Sequence, residues 1–251
     1  MAGRDLVPTT GRETVTELLL PVPWLAGSLA AAAFGVYPAA LGLSFVFFLT
    51  GLRLNHGGCH YSIGLGRRAT DLVLLALSVL MLGSMHAVQW NHLRHHRHCL
   101  AGDDIEAMGA RGSGWRAILI GPRFPLCLHA AALRGARART RRWIAAELAA
   151  NLLWLPLLAG PLASGMWRYH VLAMAAGQSL TAFFAVWTVH HDCTPGVVGR
   201  TLRDRLKSAI TFDMFYHLEH HLYPAVPTAH LPRLAARLDA AEPGARRLEV
   251  W

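Results

Sequence analysis

Five apolar runs dominate the chain: Leu18–Val36, Tyr37–Leu52, Leu72–Trp90, Trp143–Met166 and Tyr169–Val189. A helix that crosses a bilayer needs about 20 apolar residues, with a usual range of about 17–25. Inside hydrocarbon each backbone N–H and C=O must find its partner within the protein, which leaves helices as the way to fold such runs. Composition agrees with that reading. The 251 residues are 53% hydrophobic and 16% charged, whereas a soluble domain carries about 25% charged residues. The expectation is an all-α integral membrane protein forming one domain over residues 1–251.

The basic residues set the topology. The formal net charge is +9, and Lys207 is the only lysine, so the charge is almost entirely arginine. Thirteen basic residues fall in 53–143 and eight in 192–251, leaving Arg4, Arg12 and Arg168 elsewhere. Loops rich in Arg and Lys stay cytoplasmic, so both regions belong on that side. An even number of crossings must then separate them, which Trp143–Met166 and Tyr169–Val189 supply. Cytoplasmic-type sequence lies on both sides of Leu72–Trp90, so that run must not cross. The expected architecture is four transmembrane helices, a non-crossing interfacial or re-entrant apolar helix, and a cytoplasmic helical cap. Its parts are a cytoplasmic N-terminal segment (1–17), two spans (18–52), a cytoplasmic or interfacial region (53–142), two more spans (143–191) and a cytoplasmic C-terminal region (192–251). The Arg/Ala-rich stretch Ala131–Trp143 is expected as a basic interfacial segment or loop. The N-terminal stretch has three acidic residues and prolines in its apolar part, a poor match to a secretory leader, and is expected to be retained. The cysteines Cys59, Cys99, Cys127 and Cys193 form no C-x-x-C pair and are read as reduced thiols.

The fifteen histidines fall in groups. His56 and His60 (HGGCH) follow the second run, and His92, His95 and His96 (HLRHH) follow the middle one. His190 and His191 (HHD) end the last run, and His217, His220 and His221 (HLEHH) sit in the C-terminal basic region. Residues three or four apart on a helix share a face, so these spacings aim two or three imidazoles at one point. Neutral imidazole is a ligand for iron, zinc, copper and nickel. Eight or nine such ligands exceed the four of a tetrahedral zinc site, and the count suits two ions. One HxxxH alone is more often chance than ligand; three groups expected on one membrane side are not. If Leu72–Trp90 crossed, HGGCH and HLRHH would face opposite sides, so the metal reading and the arginine distribution demand the same topology. His190 and His191 point about 100° apart on a helix, so one of them faces the metals; His191 is the expected one. His86, His98, His129, His170 and His230 lack the spacing and are expected outside the site. Carboxylates near the groups (Asp192, Glu219, Asp213 and Asp103, Asp104 and Glu106), with Asn91 and Trp90, are candidates to support the imidazoles from behind.

The three motifs in this order resemble those of the membrane-bound fatty acid desaturases and their hydroxylase and ketolase relatives. HGGCH, HLRHH and HLEHHLYPAVP are similar to that family's three histidine boxes, the likeness runs on through HLYPAVPTAHLPRLAARL, and WTVHHD resembles the place of a further ligand. The resemblance covers roughly Leu43 to Leu238. It implies a non-haem di-iron centre at the cytoplasmic ends of four spans, with dioxygen as co-substrate and an unactivated C–H bond of a lipid or acyl chain as target. Carried over, His56, His60, His92, His95, His96, His191, His217, His220 and His221 become the iron ligands. The first box departs from the pattern, having glycine where many members carry aspartate after the first histidine.

The expected activity is therefore acyl desaturation, with hydroxylation or ketolation of a lipid, carotenoid or polyketide chain as the alternative within the family. A non-enzymatic membrane carrier of metal or haem is the rival from another class, but haem takes only one or two axial ligands and leaves most histidines unused. The expected partners are membrane lipid and a separate cytoplasmic electron donor, either ferredoxin-like or a haem protein with its reductase. An arginine-rich face suits an acidic donor. No nucleic-acid partner is expected, since the basic residues are interleaved with apolar runs.

Overall fold

The computed structural model describes residues 3–194, 196–243 and 247–250. Among them the chain is helical, with two isolated β-bridges, Thr194–Val197 and Thr201–Glu249. Helix α1 (Gly11–Leu19) opens on a reciprocal cap in which Thr10 Oγ1 accepts from Glu13 N–H at 3.2 Å and Glu13 Oε2 accepts from Thr10 N–H at 2.7 Å. It leads into α2 (Val22–Ala33), and the two together make an apolar unit long enough to span. The chain reverses at Gly35, whose φ of +74° suits glycine alone without cost. Val36 N–H reaches back to Ala31 O at 2.8 Å and Gly35 N–H to Ala32 O at 3.1 Å, closing the helix end. Helix α3 (Tyr37–Cys59) is a second long apolar helix, and its final turns carry His56.

The middle apolar run, expected not to cross, is broken. Helices α4 (Arg67–Leu80) and α5 (Met85–His98) meet at 114°, so they form a broken span or a re-entrant segment rather than one straight helix. Backbone freed at such a break is tolerated at membrane depth only where the protein satisfies it. Here side chains from four later helical segments do so. Gln178 Nε2 donates to Met81 O and Leu82 O at 2.8 and 3.0 Å. Asn151 Nδ2 donates to Gly83 O at 2.9 Å, and Trp154 Nε1 donates to Val79 O at 2.8 Å. His170 Nε2 donates to Leu80 O at 2.9 Å, while His129 Nε2 accepts from Ser84 N–H at 2.8 Å. His129 and His170, which lack ligand spacing, thus have a structural reason to sit in apolar segments. Gly51 on α3 admits the bend itself: a Cβ there would lie 2.6 Å from Met81 Sδ.

Helices α6 (Gly114–Ile120), α7 (Phe124–Gly135) and α8 (Ala138–Ala150) follow, so Ala131–Trp143, expected as a basic interfacial segment or loop, is largely helical. The expected span Trp143–Met166 differs from a plain apolar helix. It folds as α8, a 3-10 turn at Asn151–Leu153 and α9 (Trp154–Ala159), stopping at Gly160 and Pro161. Its polar start and its two prolines keep it apart from the three helical units that are long and apolar enough to cross. The third of these is α10 (Gly165–Thr181), continued by a π-helical stretch, Ala182–Trp187, and by α11 (Thr188–His190). Helices α12 (Arg205–Ile210), α13 (His217–Leu222) and α14 (Leu231–Ala241) complete the chain. The N-terminal segment ties to this last part: His230 Nδ1 donates to Leu6 O at 2.7 Å, and Arg237 pairs with Asp5 through two contacts of 2.7 Å.

Candidate metal centre

Four elements aim imidazoles at one region. The end of α3 brings His56 and, at its cap, His60; α5 brings His92, His95 and His96 at helical spacing; α11 ends on His190; and α13 brings His217, His220 and His221. The rings sort into two groups. In the first, the ligand atoms of His56, His60, His92, His96 and His220 all lie within 4.8 Å of one another. His96 Nε2 is 3.2 Å from His92 Nε2 and 2.9 Å from His220 Nε2. In the second, His190 Nε2 is 3.0 Å from His95 Nε2 and 2.8 Å from His217 Nε2, and His217 is 3.1 Å from His221. The groups abut where His96 stacks on His221 with ring centres 4.3 Å apart.

The chemistry of this packing points to cations. Nδ1 of His95 faces Asp104 Oδ2 at 2.7 Å and Nδ1 of His92 faces Glu106 Oε1 at 3.1 Å. An imidazole that donates from Nδ1 to a carboxylate presents a lone pair at Nε2, and these lone pairs face other ring nitrogens across hydrogen-bond distance. His56 Nε2 and His60 Nε2 are buried with no hydrogen-bond partner, a costly state unless something binds them. On α13, burial and then the neighbouring rings hold His217, His220 and His221 well below the ordinary imidazole value. They are therefore neutral and ready to ligate at neutral pH. Burial pushes the Glu106 carboxyl up to about 7. Burial works most strongly against the Asp104 charge as well, but the His95 hydrogen bond and charge, with the Leu100 and Ala107 N–H groups, together outweigh it and keep that carboxyl below its ordinary value.

Eight expected ligands converge, and the ninth position changes hands. His191 does not point into either group: its ring stacks on Trp187 at 4.1 Å, and its Nδ1 lies 2.9 Å from Trp187 O. His190 occupies the place expected for it and is buried to 2% exposure. The reason is the π-helical stretch just before it, where one turn takes more residues than an α-turn and re-phases the side chains that follow. Thr188 Oγ1, bonded to Phe183 O at 3.0 Å, marks the widened turn. Replacing His190 with alanine is expected to release metal from the second group, whereas His191→Ala retains it; elemental analysis of the two purified variants checks this.

The supporting residues also differ from expectation. Asp192 is 84% exposed and pairs with Arg200, and Glu219 accepts from Thr201 Oγ1 at 2.7 Å and from Arg203. Asn91 donates to Ala87 O and Leu128 O, and Trp90 carries Arg94 over its ring at 5.1 Å. Asp213 accepts from Ser208 Oγ at 3.0 Å. In their contacts these residues hold backbone and loops, while Asp104 and Glu106 hold imidazoles. An apolar cavity opens onto the first group. Its wall includes Leu49, Leu52, Met85, Val88, Phe124, Leu128, Phe184 and Phe215, together with His56, His92, His217 and Glu106. Of the middle apolar run, Met85 and Val88 are the residues that face it.

A family model described as fatty acid desaturase matches residues 29–251. The chain belongs to the fatty acid desaturase family. No curated protein matches it. Membership accounts for the joint presence of long apolar helices, three histidine motifs in order and an apolar cavity ending at imidazoles. Proteins of this family are generally oxidoreductases acting on lipid or acyl chains, and the family is known for iron use.

Proposed function

We propose that the protein is an O2-dependent, non-haem di-iron desaturase that introduces a C=C bond into an acyl chain. The observation that carries this reading is the division of the imidazoles into two groups at the end of an apolar cavity. His56, His60, His92, His96 and His220 would hold one iron; His95, His190, His217 and His221 would hold the other. When bound, the iron pair supplies dioxygen activation for removal of hydrogen from an unactivated methylene pair, a net reaction consuming O2, two electrons and two protons and yielding the alkene and two waters.

This chain's residues make that chemistry selective. The cavity wall binds methylenes by excluding water and, among the described residues, offers no arginine or lysine, which suits hydrocarbon rather than a charged head group. Asp104 and Glu106 orient His95 and His92 through their Nδ1 atoms. Which carbon reacts depends on how the wall seats the chain, since small displacements strongly alter such steps.

The reading includes the topology. The α1–α2 unit, α3, the α8–α9 run and the α10–α11 unit would be the four crossings, with α4 and α5 dipping in and returning, and with both termini and the metals cytoplasmic. A separate acidic electron carrier, ferredoxin-like or haem-containing, would deliver the electrons. Expression in a host with a defined lipid pool, followed by mass spectrometry, tests the activity. Desaturation predicts products lighter by two hydrogens, abolished in His92→Ala. Products heavier by one oxygen assign the protein to hydroxylation instead, and an unchanged lipid pool in an iron-loaded, reducible preparation overturns the reading.

A further inference from the structure

The sequence placed no cysteine among the ligands, yet one sulfur lies inside the second group. Cys99 caps α5, four residues after His95, so the two side chains leave the same helix face. Its Sγ is 4.0 Å from His95 Nε2. Ligand atoms of Cys99, His95, His190 and His221 all lie within 4.8 Å of one another. A metal–nitrogen bond of about 2.1 Å and a metal–sulfur bond of about 2.3 Å together reach about 4.4 Å when in line. The observed separation from His95 therefore fits one ion bonded to both at an obtuse angle.

One observation independent of the sulfur points to a cation here. His190 Nε2 meets His95 Nε2 and His217 Nε2 at 3.0 and 2.8 Å. With His95 turned toward Asp104 through Nδ1, a shared cation relieves that crowding of acceptors. Three imidazoles and the Cys99 sulfur make up the mutually close set, and His217 joins it through His190 and His221. The thiol's other neighbour is Val198 O at 3.6 Å, a weak alternative. Cys59 and Cys193 face Asn55 Oδ1 and Val189 O instead.

We propose that Cys99 is a thiolate ligand to the metal held by His95, His190, His217 and His221. The inference rests on the two-metal reading above. On binding, the S–H proton goes to solvent as the sulfur–metal bond forms, and no electron moves. The two ions would then be inequivalent, one held by imidazole alone and the other by imidazole and a softer, anionic donor.

The test needs no turnover. Purified full-length protein is loaded with Zn2+ alone, and its ligands are read by X-ray absorption at the zinc edge. A sulfur scatterer at about 2.3 Å, one sulfur shared over two zinc ions, is expected in the wild type. It should vanish in Cys99→Ser and persist in Cys193→Ser. Loading with Co2+ gives a second reading, a near-ultraviolet thiolate-to-cobalt band with the same dependence on Cys99. Two bound zinc ions with only nitrogen and oxygen neighbours in the wild type overturn the sulfur assignment and leave the two-metal reading standing. Failure to bind zinc or cobalt at all overturns the two-metal reading. A wild-type spectrum without sulfur decides against Cys99 on its own, whether or not a variant folds, and sulfur that persists in Cys99→Ser overturns the assignment as well.

Discussion

His220→Ala is expected to purify with about one metal ion fewer per chain than the wild type and with no oxygenase or desaturase activity. Its imidazole sits in the five-histidine group, with Nε2 2.9 Å from His96 and a ring centre 4.0 Å from that of His56. Removing it opens one ion's coordination on the side facing α3 while leaving the other group's nitrogens untouched. His95→Ala should do the reverse, because His95 belongs to the second group with His190. Each variant then keeps the metal that the other loses, and elemental analysis reads the difference. Asp104→Asn is the graded companion. It weakens the hydrogen bond that fixes His95 without removing a ligand, for which a fall in metal affinity of about 10–100-fold is typical. Full metal retention in both alanine variants would contradict the site. Equal loss of both ions in each would show instead that the two groups load as one unit.

Much of this site was legible in the sequence because its signals are local. HxxHH on α5 and HLEHH on α13 place their rings on one face by helical spacing alone, and eight of the nine expected residues meet where that spacing sends them. The arginine distribution asked Leu72–Trp90 not to cross, and the bend at Met81–Ser84 makes that run a broken span or a re-entrant segment. What escaped the sequence was long-range or depended on backbone phase. His190 replaces His191 because the Ala182–Trp187 stretch winds as a π-helix, and nothing in AFFAVW announces a wider turn. Asp192 and Glu219 lie beside histidines in sequence, but Arg200 and Arg203 draw them away, so proximity along the chain misjudged them. His86 was set aside for lacking ligand spacing. Of the supporting or solvated roles expected for it, the solvated one does not hold: the ring is buried to 3% exposure against partners 61 and 15 residues away.

That buried partnership supports the second large effect. Glu147, which interrupts an apolar run and is fully buried, is bound by three groups from the start of α5. Its Oε1 lies 2.6 Å from His86 Nδ1; its Oε2 accepts from His86 N–H at 3.1 Å and from Ser84 Oγ. Trp143 covers the His86 ring in a parallel stack, with centres 4.9 Å apart, and Asp71 of α4 lies 3.5 Å from its Nε2. Asp71 in turn accepts from Tyr61 at 3.0 Å, next to His60, and from Arg139 at 3.3 Å. One carboxylate on α8 therefore holds the corner from which α5 sets out toward His92, His95 and His96. Glu147→Ala leaves the Ser84 hydroxyl and the His86 ring without their acceptor in a closed interior. Leaving a buried donor unsatisfied costs about 1–3 kcal/mol, and several at once make a large share of a typical folding free energy of about 5–15 kcal/mol. Thermal unfolding in detergent should shift down steeply, and the protein that survives should load metal poorly because α5 is no longer fixed in direction. Glu147→Gln keeps an acceptor oxygen for Ser84 and His86 and should recover most of the stability. If Glu147→Ala melts and loads like the wild type, the corner is held by its backbone bonds to Gln178, Asn151, Trp154, His170 and His129 instead.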